Sequence, residues 1–265
     1  MASSYQYLRQ DSTMDRMDAL SKGMWLVVVS VTALVIGSPI FFVIHIGLSV
    51  LVGLSLGRVP VATFARGASV LLVLALALFV FQVLFIHRGE VVLQLGPLAI
   101  YTSGIRQGLT TSLRILSVSV AGLVFVWTTN PRNLILGLIH IGLPYRLAYA
   151  MFVAFQVVPL LRQEATIIRE AHLVRGVVEE SGRLEAWKRY FVPLLAYSIR
   201  KAEIAAIAMD SRAFGAYPTR TSVDEFRWSR SGLWFVGVFA ALEGALIAAA
   251  ALTGGLFERY SGGML

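Results

Sequence analysis

Five long apolar runs dominate the pattern of hydrophobic and polar positions along the chain. They cover residues 24–37, 39–56, 68–86, 104–128 and 233–252. Because a helix needs about 20 mostly apolar residues to cross the hydrocarbon of a bilayer, this pattern predicts about five transmembrane helices, the first of them short. Ser38-Pro39 predicts a break between the first two, since proline disfavours helix at the residue before it. Residues 87–104 contain the glycines and proline typical of a loop.

A different pattern separates the fourth and fifth runs. Residues 162–230 hold 12 of the 23 Lys and Arg residues and nine of the 15 acids. Apolar residues nevertheless recur there at helical spacing in two stripes: Leu160, Ile167, Ala171, Val174 and Val178, then Leu195, Ile199, Ala202, Ala206 and Met209. They predict amphipathic helices that are too charged to span a membrane and too apolar to be free in water, so we expect these helices at the membrane surface or under other helices.

The predicted organisation therefore has four parts. Residues 1–23 form an N-terminal tail, and residues 24–130 hold transmembrane helices one to four. Residues 131–217 hold two or three long amphipathic helices, and residues 218–265 hold a linker and the last transmembrane helix. The fold class predicted is all-α, a polytopic membrane protein.

Composition supports this class. The chain is 57% hydrophobic and 14% charged, with a mean hydropathy of +0.74, whereas soluble domains are about 45–50% apolar and about 25% charged. The absence of cysteine excludes disulfides, cysteine–zinc sites and thiol nucleophiles. The first 20 residues contain three aspartates and no apolar run, so they do not read as a cleavable signal peptide.

The distribution of charge predicts orientation. The formal net charge is +8, but there are only three lysines, and the arginines mostly flank apolar runs. This is how membrane proteins place positive charge on the cytoplasmic side. We therefore expect a cytoplasmic N-terminus, a cytoplasmic amphipathic segment and no nucleic-acid partner.

Enzyme motifs are weak in this chain. "GLSLG", residues 53–57, fits the serine nucleophile pattern around Ser55 but lies in a transmembrane run. The same letters, and "GIRQG" at residues 104–108, give the G-x-x-x-G spacing of closely packed membrane helices, which we favour. The four histidines lack metal-ligand spacing, and no P-loop exists. An intramembrane serine hydrolase stays a remote alternative.

Two charged residues fall within the apolar runs. Glu243 lies near the middle of the last run, and its carboxylate is either functional or paired with a structural partner. Arg114 lies in the fourth run, and we expect it to pack against the polar end of a neighbouring helix. A stand-alone secondary transporter would draw on these two residues.

Two arginines have similar surroundings. "HLVRGVVEE" places Arg175 before Gly176, and "AMDSRAFGAYP" places Arg212 before Gly215 and Pro218. Arginine in the last turn complements the helix dipole and glycine supplies a left-handed cap, so both stretches predict helix C-termini. An arginine at a helix tip can also enter a groove on another protein and pair with a carboxylate through two hydrogen bonds.

Longer stretches carry a family resemblance. "LPYRLAYAMFVAFQVVPLLRQEATIIREAHLVRG" and "RYFVPLLAYSIRKAEIAAIAMDSRAFG" resemble the transmembrane coupling (T) subunit of energy-coupling factor transporters. That family carries Ala-Arg-Gly or a close variant at the ends of two cytoplasmic coupling helices. The corresponding residues are Val174-Arg175-Gly176 and Ser211-Arg212-Ala213. The N-terminal stretch resembles the family's Leu-Asp-Pro-x-x-Lys, with Ala19 in place of proline and Lys22 retained.

The resemblance implies a non-catalytic subunit in a prokaryotic cell membrane. It implies two ABC-type ATPase partners, which bind the ATP and magnesium, and one membrane-embedded S subunit that binds a vitamin, a precursor or a metal ion. The chain itself would hold no cofactor and no metal. The residues implied in ATPase binding are Arg175, Gly176, Ser211, Arg212, Ala213 and Gly215. The apolar stripe from Leu195 to Met209 would form the platform under the S subunit. A stand-alone transporter or a membrane scaffold is the alternative.

Overall fold

The computed structural model describes residues 12–95, 98–176, 183–216 and 226–252. The helices are α1 Ala19–Val35, α2 Pro39–Ser55, α3 Val61–Phe85, α4 Thr102–Thr128, α5 Pro131–His140, α6 Tyr145–Val174, α7 Arg183–Asp210 and α8 Arg230–Leu252. A 3₁₀ turn, Met14–Arg16, precedes α1, and two strands, β1 Val91–Leu95 and β2 Leu98–Tyr101, precede α4. The predicted all-α class is confirmed. Val178 and Pro218, named above, lie outside the described residues.

The chain divides into two compact units. The membrane unit comprises Met1–Gly137 and Phe226–Leu265, and thus holds α1–α4, most of α5, and α8. The α6–α7 unit comprises Leu138–Glu225. The predicted boundary at residue 131 coincides with the first residue of α5 and lies a few residues before Gly137, where the membrane unit ends.

The helix boundaries follow from the local sequence. The carboxylate of Asp18 caps α1 by accepting a hydrogen bond from the backbone N–H of Ser21 at 2.9 Å. Ile36 and Ser38 are extended, and Pro39 is the first residue of α2, where the absent N–H costs nothing. The predicted break between the first two runs is confirmed.

Helix α4 lies at the centre of the membrane unit and packs against α1, α2 and α3. Trp127 on α4 is 1% exposed, and its ring lies 5.5 Å from that of Phe64 on α3. The ring of Trp25 on α1 lies 5.8 Å from that of Phe235 on α8. Aromatic and branched side chains thus fill the space between helices, which gives the unit a solid interior.

Small residues permit the close approach of α2 to α4. A Cβ on Gly53 would lie 2.9 Å from Val124, and one on Gly57 would lie 3.0 Å from Thr128. The interpretation of "GLSLG" as a packing face is therefore supported. The nucleophile-elbow interpretation of this motif is wrong: Ser55 is the last residue of α2, and its hydroxyl donates to the carbonyl of Leu51 at 2.5 Å. A nucleophile elbow requires a strand before the serine and a helix after it.

Residues 87–104 differ from the predicted loop. β1 and β2 form an antiparallel hairpin in which Leu95 faces Leu98, with an irregularity between Val91 and Leu93. The two strands are rich in β-branched and aromatic residues, which favour extended backbone. The glycines and the proline of residues 87–104 favoured a loop in the sequence, and this signal outweighed the short stretches of strand-forming residues.

Helix lengths modify the predicted set of spans. Among the described residues, α3, α4, α6 and α8 are long and apolar enough to cross a membrane. Helices α1 and α2 have 17 residues each, or about 25 Å at about 1.5 Å per residue. By length and composition α6 is also a candidate span, because its first half, up to Leu161, carries one charged residue, Arg146. The charges on which the surface expectation rests lie in its second half.

Candidate functional site

Helices α6 and α7 form an antiparallel pair. The ring of Phe214, which follows α7, lies 4.5 Å from that of Tyr149 near the start of α6. At the other end, His172 of α6 lies 5.5 Å from Tyr190 near the start of α7. The C-terminus of each helix therefore lies beside the N-terminus of the other. About 26 residues of α6 separate Tyr149 from Arg175, so the two C-termini lie about 40 Å apart along this helix.

Arg175 ends α6. Its backbone N–H donates to the carbonyl of Ala171 at 3.2 Å, and the N–H of Gly176 donates to that of Leu173 at 3.1 Å. Gly176 has a φ of +64°, the left-handed conformation that glycine adopts without steric cost. Arg175 is thus the C-cap of α6, with a left-handed residue directly after it.

Arg212 ends the turn that follows α7. The N–H of Ala213 donates to the carbonyl of Asp210 at 3.0 Å, and the N–H of Phe214 donates to that of Met209 at 3.0 Å. This pair of bonds is a Schellman motif, in which Arg212 is the C-cap. Ala213, the next residue, has a φ of +53°.

The two tips therefore share one backbone arrangement. In each, an arginine at the C-cap is followed by a left-handed residue, which is Gly176 in one and Ala213 in the other. The third position of the motif needs a positive φ, and this explains why glycine suits it. Ala213 adopts the conformation despite its Cβ, so the departure from Ala-Arg-Gly leaves the tip geometry unchanged at a cost in conformational strain.

Both arginine side chains are exposed. Within the described part of the chain, neither guanidinium has a hydrogen-bond or ion-pair partner. Beside Arg175, Leu173 is 67% exposed and Val174 is 89% exposed. A tip that presents a free cation next to exposed apolar side chains has the composition of an interface anchor.

The other predicted tip residues have distinct roles. The hydroxyl of Ser211 donates to the carbonyl of Ile207 at 2.7 Å, so it helps to close the helix end. Gly215 is exposed and has a φ of +83°, and it redirects the chain after Phe214. The sequence did not predict the aromatic contact of Phe214 with Tyr149. The only sign of it was the presence of aromatic residues at positions 145, 149 and 214.

The predicted platform stripe lies on one side of α7. Leu195 is 47% exposed and Ile199 is 61% exposed, Ala202 and Ala206 are exposed, and Met209 is half-buried. An apolar stripe that a helix leaves uncovered needs lipid or another protein to remove it from water. The stripe thus lies on a continuous helix, as its spacing predicts.

Arg114 in the membrane unit has partners. Its guanidinium donates to the carbonyl of Ile36 at 3.0 Å and lies 5.5 Å above the ring of Phe42. Ile36 is the C-cap of α1, so the arginine satisfies a carbonyl at the negative end of that helix. The expectation that Arg114 packs against the polar end of a neighbour is confirmed.

Glu243 is also paired. Its Oε1 lies 2.9 Å from Nε2 of His45 on α2, and the side chains are 2% and 5% exposed. Of the two interpretations left open for Glu243, the structure supports the paired one, with His45 as the partner. The partner could not be found from the sequence, because about 200 positions separate the two residues. Both residues that a stand-alone carrier would draw on are thus engaged within the chain.

The fold and the site together define a polytopic helical membrane protein with an antiparallel helix pair that ends in two exposed arginines. The model of the CbiQ family, described as cobalt transport protein, matches residues 10–223. The chain belongs to this family of energy-coupling factor transporter transmembrane proteins, and is a transmembrane component of a transporter.

Similar proteins cover most of the chain. It is 26% identical to the energy-coupling factor transporter transmembrane protein EcfT of Bacillus selenitireducens, over 97% of both chains. It is 30% identical to the EcfT of Heliobacterium modesticaldum, over 82% of this chain and 85% of that one. It is 29% identical to the EcfT of Thermosediminibacter oceani, over 86% and 90%.

Proposed function

We propose that this chain couples ATP hydrolysis by two ABC-type ATPase subunits to movement of a membrane-embedded S subunit. The S subunit binds a vitamin, a precursor or a metal ion, and the ATPases bind ATP and magnesium. The observation that carries the proposal is the repeated tip geometry. Arg175 and Arg212 are exposed cations at equivalent helix C-caps, and each is suited to enter a groove on one ATPase.

Arginine suits this role physically. Its planar guanidinium remains charged and can form two parallel hydrogen bonds with a carboxylate. The C-cap position holds it at the end of a rigid helix, so little conformational freedom is lost on docking. Closure of the ATPase dimer on ATP would then displace both tips, and the helices would transmit that displacement.

The second part of the proposal concerns the α7 stripe. Its exposed apolar residues, Leu195 and Ile199 foremost, would contact the S subunit. Small residues at 202 and 206 would let an apolar helix slide across the stripe, because no bulky side chain interlocks there. ATP binding would thus favour one of two states of the platform, because the closed ATPase dimer would bind one state more tightly than the other. The N-terminus and the α6–α7 unit would be cytoplasmic.

Affinity purification of the tagged chain from its own host tests this proposal. The unaltered chain should retain two ATPases and an S subunit. The double substitution Arg175→Glu and Arg212→Glu should release the ATPases and retain the S subunit, because it reverses charge only at the tips. The matched control, Arg169→Glu with Arg200→Glu, changes exposed arginines within the same helices and should retain both partners.

The platform has the complementary test. Leu195→Arg should release the S subunit and retain the ATPases, since a charge in an apolar contact loses its hydration without gaining a partner. ATPases that remain bound to the charge-reversed tips would contradict the proposed docking. A chain that purifies without any ATPase would contradict the coupling function as a whole.

A further inference from the structure

Among the described residues, the first turn of α1 contacts the three segments of the membrane unit that are nearest in sequence to the points where the chain leaves and re-enters this unit. The chain leaves the membrane unit after Gly137 and returns to it at Phe226. The last segments before the exit are the end of α4 and helix α5, and the first after the return is the start of α8. Each of these three segments meets a residue between Asp18 and Lys22, which we name the α1 clamp.

Lys22 holds the end of α4. It is 2% exposed, and its ammonium donates to the carbonyl of Thr128 at 2.6 Å. Thr128 is the last residue of α4, and its carbonyl is one of those that a helix leaves without a partner at its C-terminus. A buried lysine is costly to desolvate, so its contact with the negative end of the helix dipole fixes this end firmly.

Asp18 holds the start of α8. One carboxylate oxygen accepts from the N–H and hydroxyl of Ser21 within α1, at 2.9 and 2.7 Å. The other accepts from the N–H of Ser229 at 3.1 Å, which directly precedes α8. Gly232 of α8 is buried, and a Cβ there would clash with the Asp18 carboxylate. One carboxylate thus stabilises two helix N-termini.

Leu20 completes the clamp by packing on α5. A Cβ added to Gly137 would lie 2.7 Å from Cγ of Leu20. Because this contact involves the branch point of the leucine, the side chain has little room to move away. Leu20 is 9% exposed, and the neighbouring Ile135 of α5 is 1% exposed.

We propose that Asp18 and Lys22 are positioning residues for energy coupling. They hold the end of α4 and the start of α8, next to the points where the chain leaves and re-enters the membrane unit, so that displacement of α6 and α7 passes into the membrane helices. This inference rests on the proposed function. A lysine spaced four residues after a helix-capping aspartate reaches the carbonyl end of α4, while the aspartate reaches the amide end of α8. Two opposite charges on one turn of α1 thus hold one helix C-terminus and one helix N-terminus.

Spin labels test this inference. The chain has no cysteine, so Val61→Cys and Leu233→Cys introduce a single pair, and both positions are exposed. Val61 begins α3, which packs mainly against α4, and Leu233 lies in the first turn of α8. Pulsed dipolar spectroscopy on the complex purified with its native partners measures the distance between labels, with the cysteine-free parent as the background control.

We expect the distance between the two spin labels to depend on nucleotide. Addition of ATP and vanadate should change it in the doubly labelled parent. Lys22→Met removes the donor and keeps an apolar stem, and Asp18→Asn keeps a helix cap but loses one acceptor. Each should retain the ATPases and the resting distance, and lose at least half of the nucleotide-dependent change. Lys188→Met, at an exposed lysine of α7, should retain the full change.

Three results would overturn the inference: a full change in both clamp variants, no change in the labelled parent, or loss of the ATPases from both variants. The last would indicate a role in folding alone. A labelled parent that purifies without ATPases would instead overturn the proposed function, and the inference with it.

Discussion

Exchange of glycine and alanine between the two tips should have opposite effects on their stability. Gly176→Ala places a Cβ at a φ of +64°, and Ala213→Gly removes one at a φ of +53°. The left-handed conformation costs an L-residue about 1–2 kcal/mol, and the greater freedom of glycine in the unfolded chain offsets about 0.4–1 kcal/mol of this. A net change of about 1 kcal/mol results, destabilising at Gly176 and stabilising at Ala213.

Steric contacts do not alter this value. A Cβ on Gly176 would meet nothing within 4 Å, and Ala213 is exposed, so neither change creates a clash or a cavity. A free energy of about 1 kcal/mol changes a local opening equilibrium about fivefold. Hydrogen exchange followed by mass spectrometry measures this opening at the amides of Gly176 and Phe214, which donate to Leu173 and Met209.

We expect exchange about five times faster at the end of α6 in Gly176→Ala and about five times slower after α7 in Ala213→Gly. Gly237→Ala is the control, because Gly237 lies within α8 without a positive φ and with nothing within 4 Å of its Cβ. There the substitution should slow exchange, since alanine is the better helix former. Slower exchange in Gly176→Ala would refute the left-handed cap as the basis of the tip.

Two further predictions concern the membrane unit, and thermal unfolding in detergent measures both. Gly67→Ala should destabilise by about 1–3 kcal/mol, because its Cβ would lie 2.7 Å from the buried ring of Trp127, whereas Gly47→Ala, with nothing within 4 Å, should not. Glu243→Leu should cost about 3 kcal/mol by leaving His45 buried without its partner, and the double change to leucine should cost less. Equal destabilisation by both glycine changes, or additive costs at the ion pair, would contradict these accounts.

The periodicity of the sequence predicted most helices because burial in lipid and amphipathic packing each leave a local pattern. The apolar runs matched α2, α4 and α8 closely. The same pattern underestimated α3, which begins seven residues before the run, at Val61. Polar residues near the membrane surface interrupt a run without ending a helix, so the hydropathy pattern reports depth rather than helix length.

The candidate site was also visible in the sequence, in part. Arginine before glycine at the end of an amphipathic stretch predicted a helix C-terminus, and both tips have that geometry. The family resemblance had already aligned Gly176 with Ala213, but the left-handed φ of Ala213 was not visible, because an alanine by itself does not favour that conformation. The binding of the two tips to ATPases stays a prediction.

Contacts between distant segments were decided only by the tertiary structure. His45 and Glu243, Lys22 and Thr128, and Asp18 and Ser229 meet through helix packing. The sequence by itself determined the membrane class, the amphipathic segment and the two arginine-ended helices, since these follow from the order of apolar and charged residues along the chain. The pairing of buried charges depends on which helix faces meet, a property of the folded chain that no local pattern encodes.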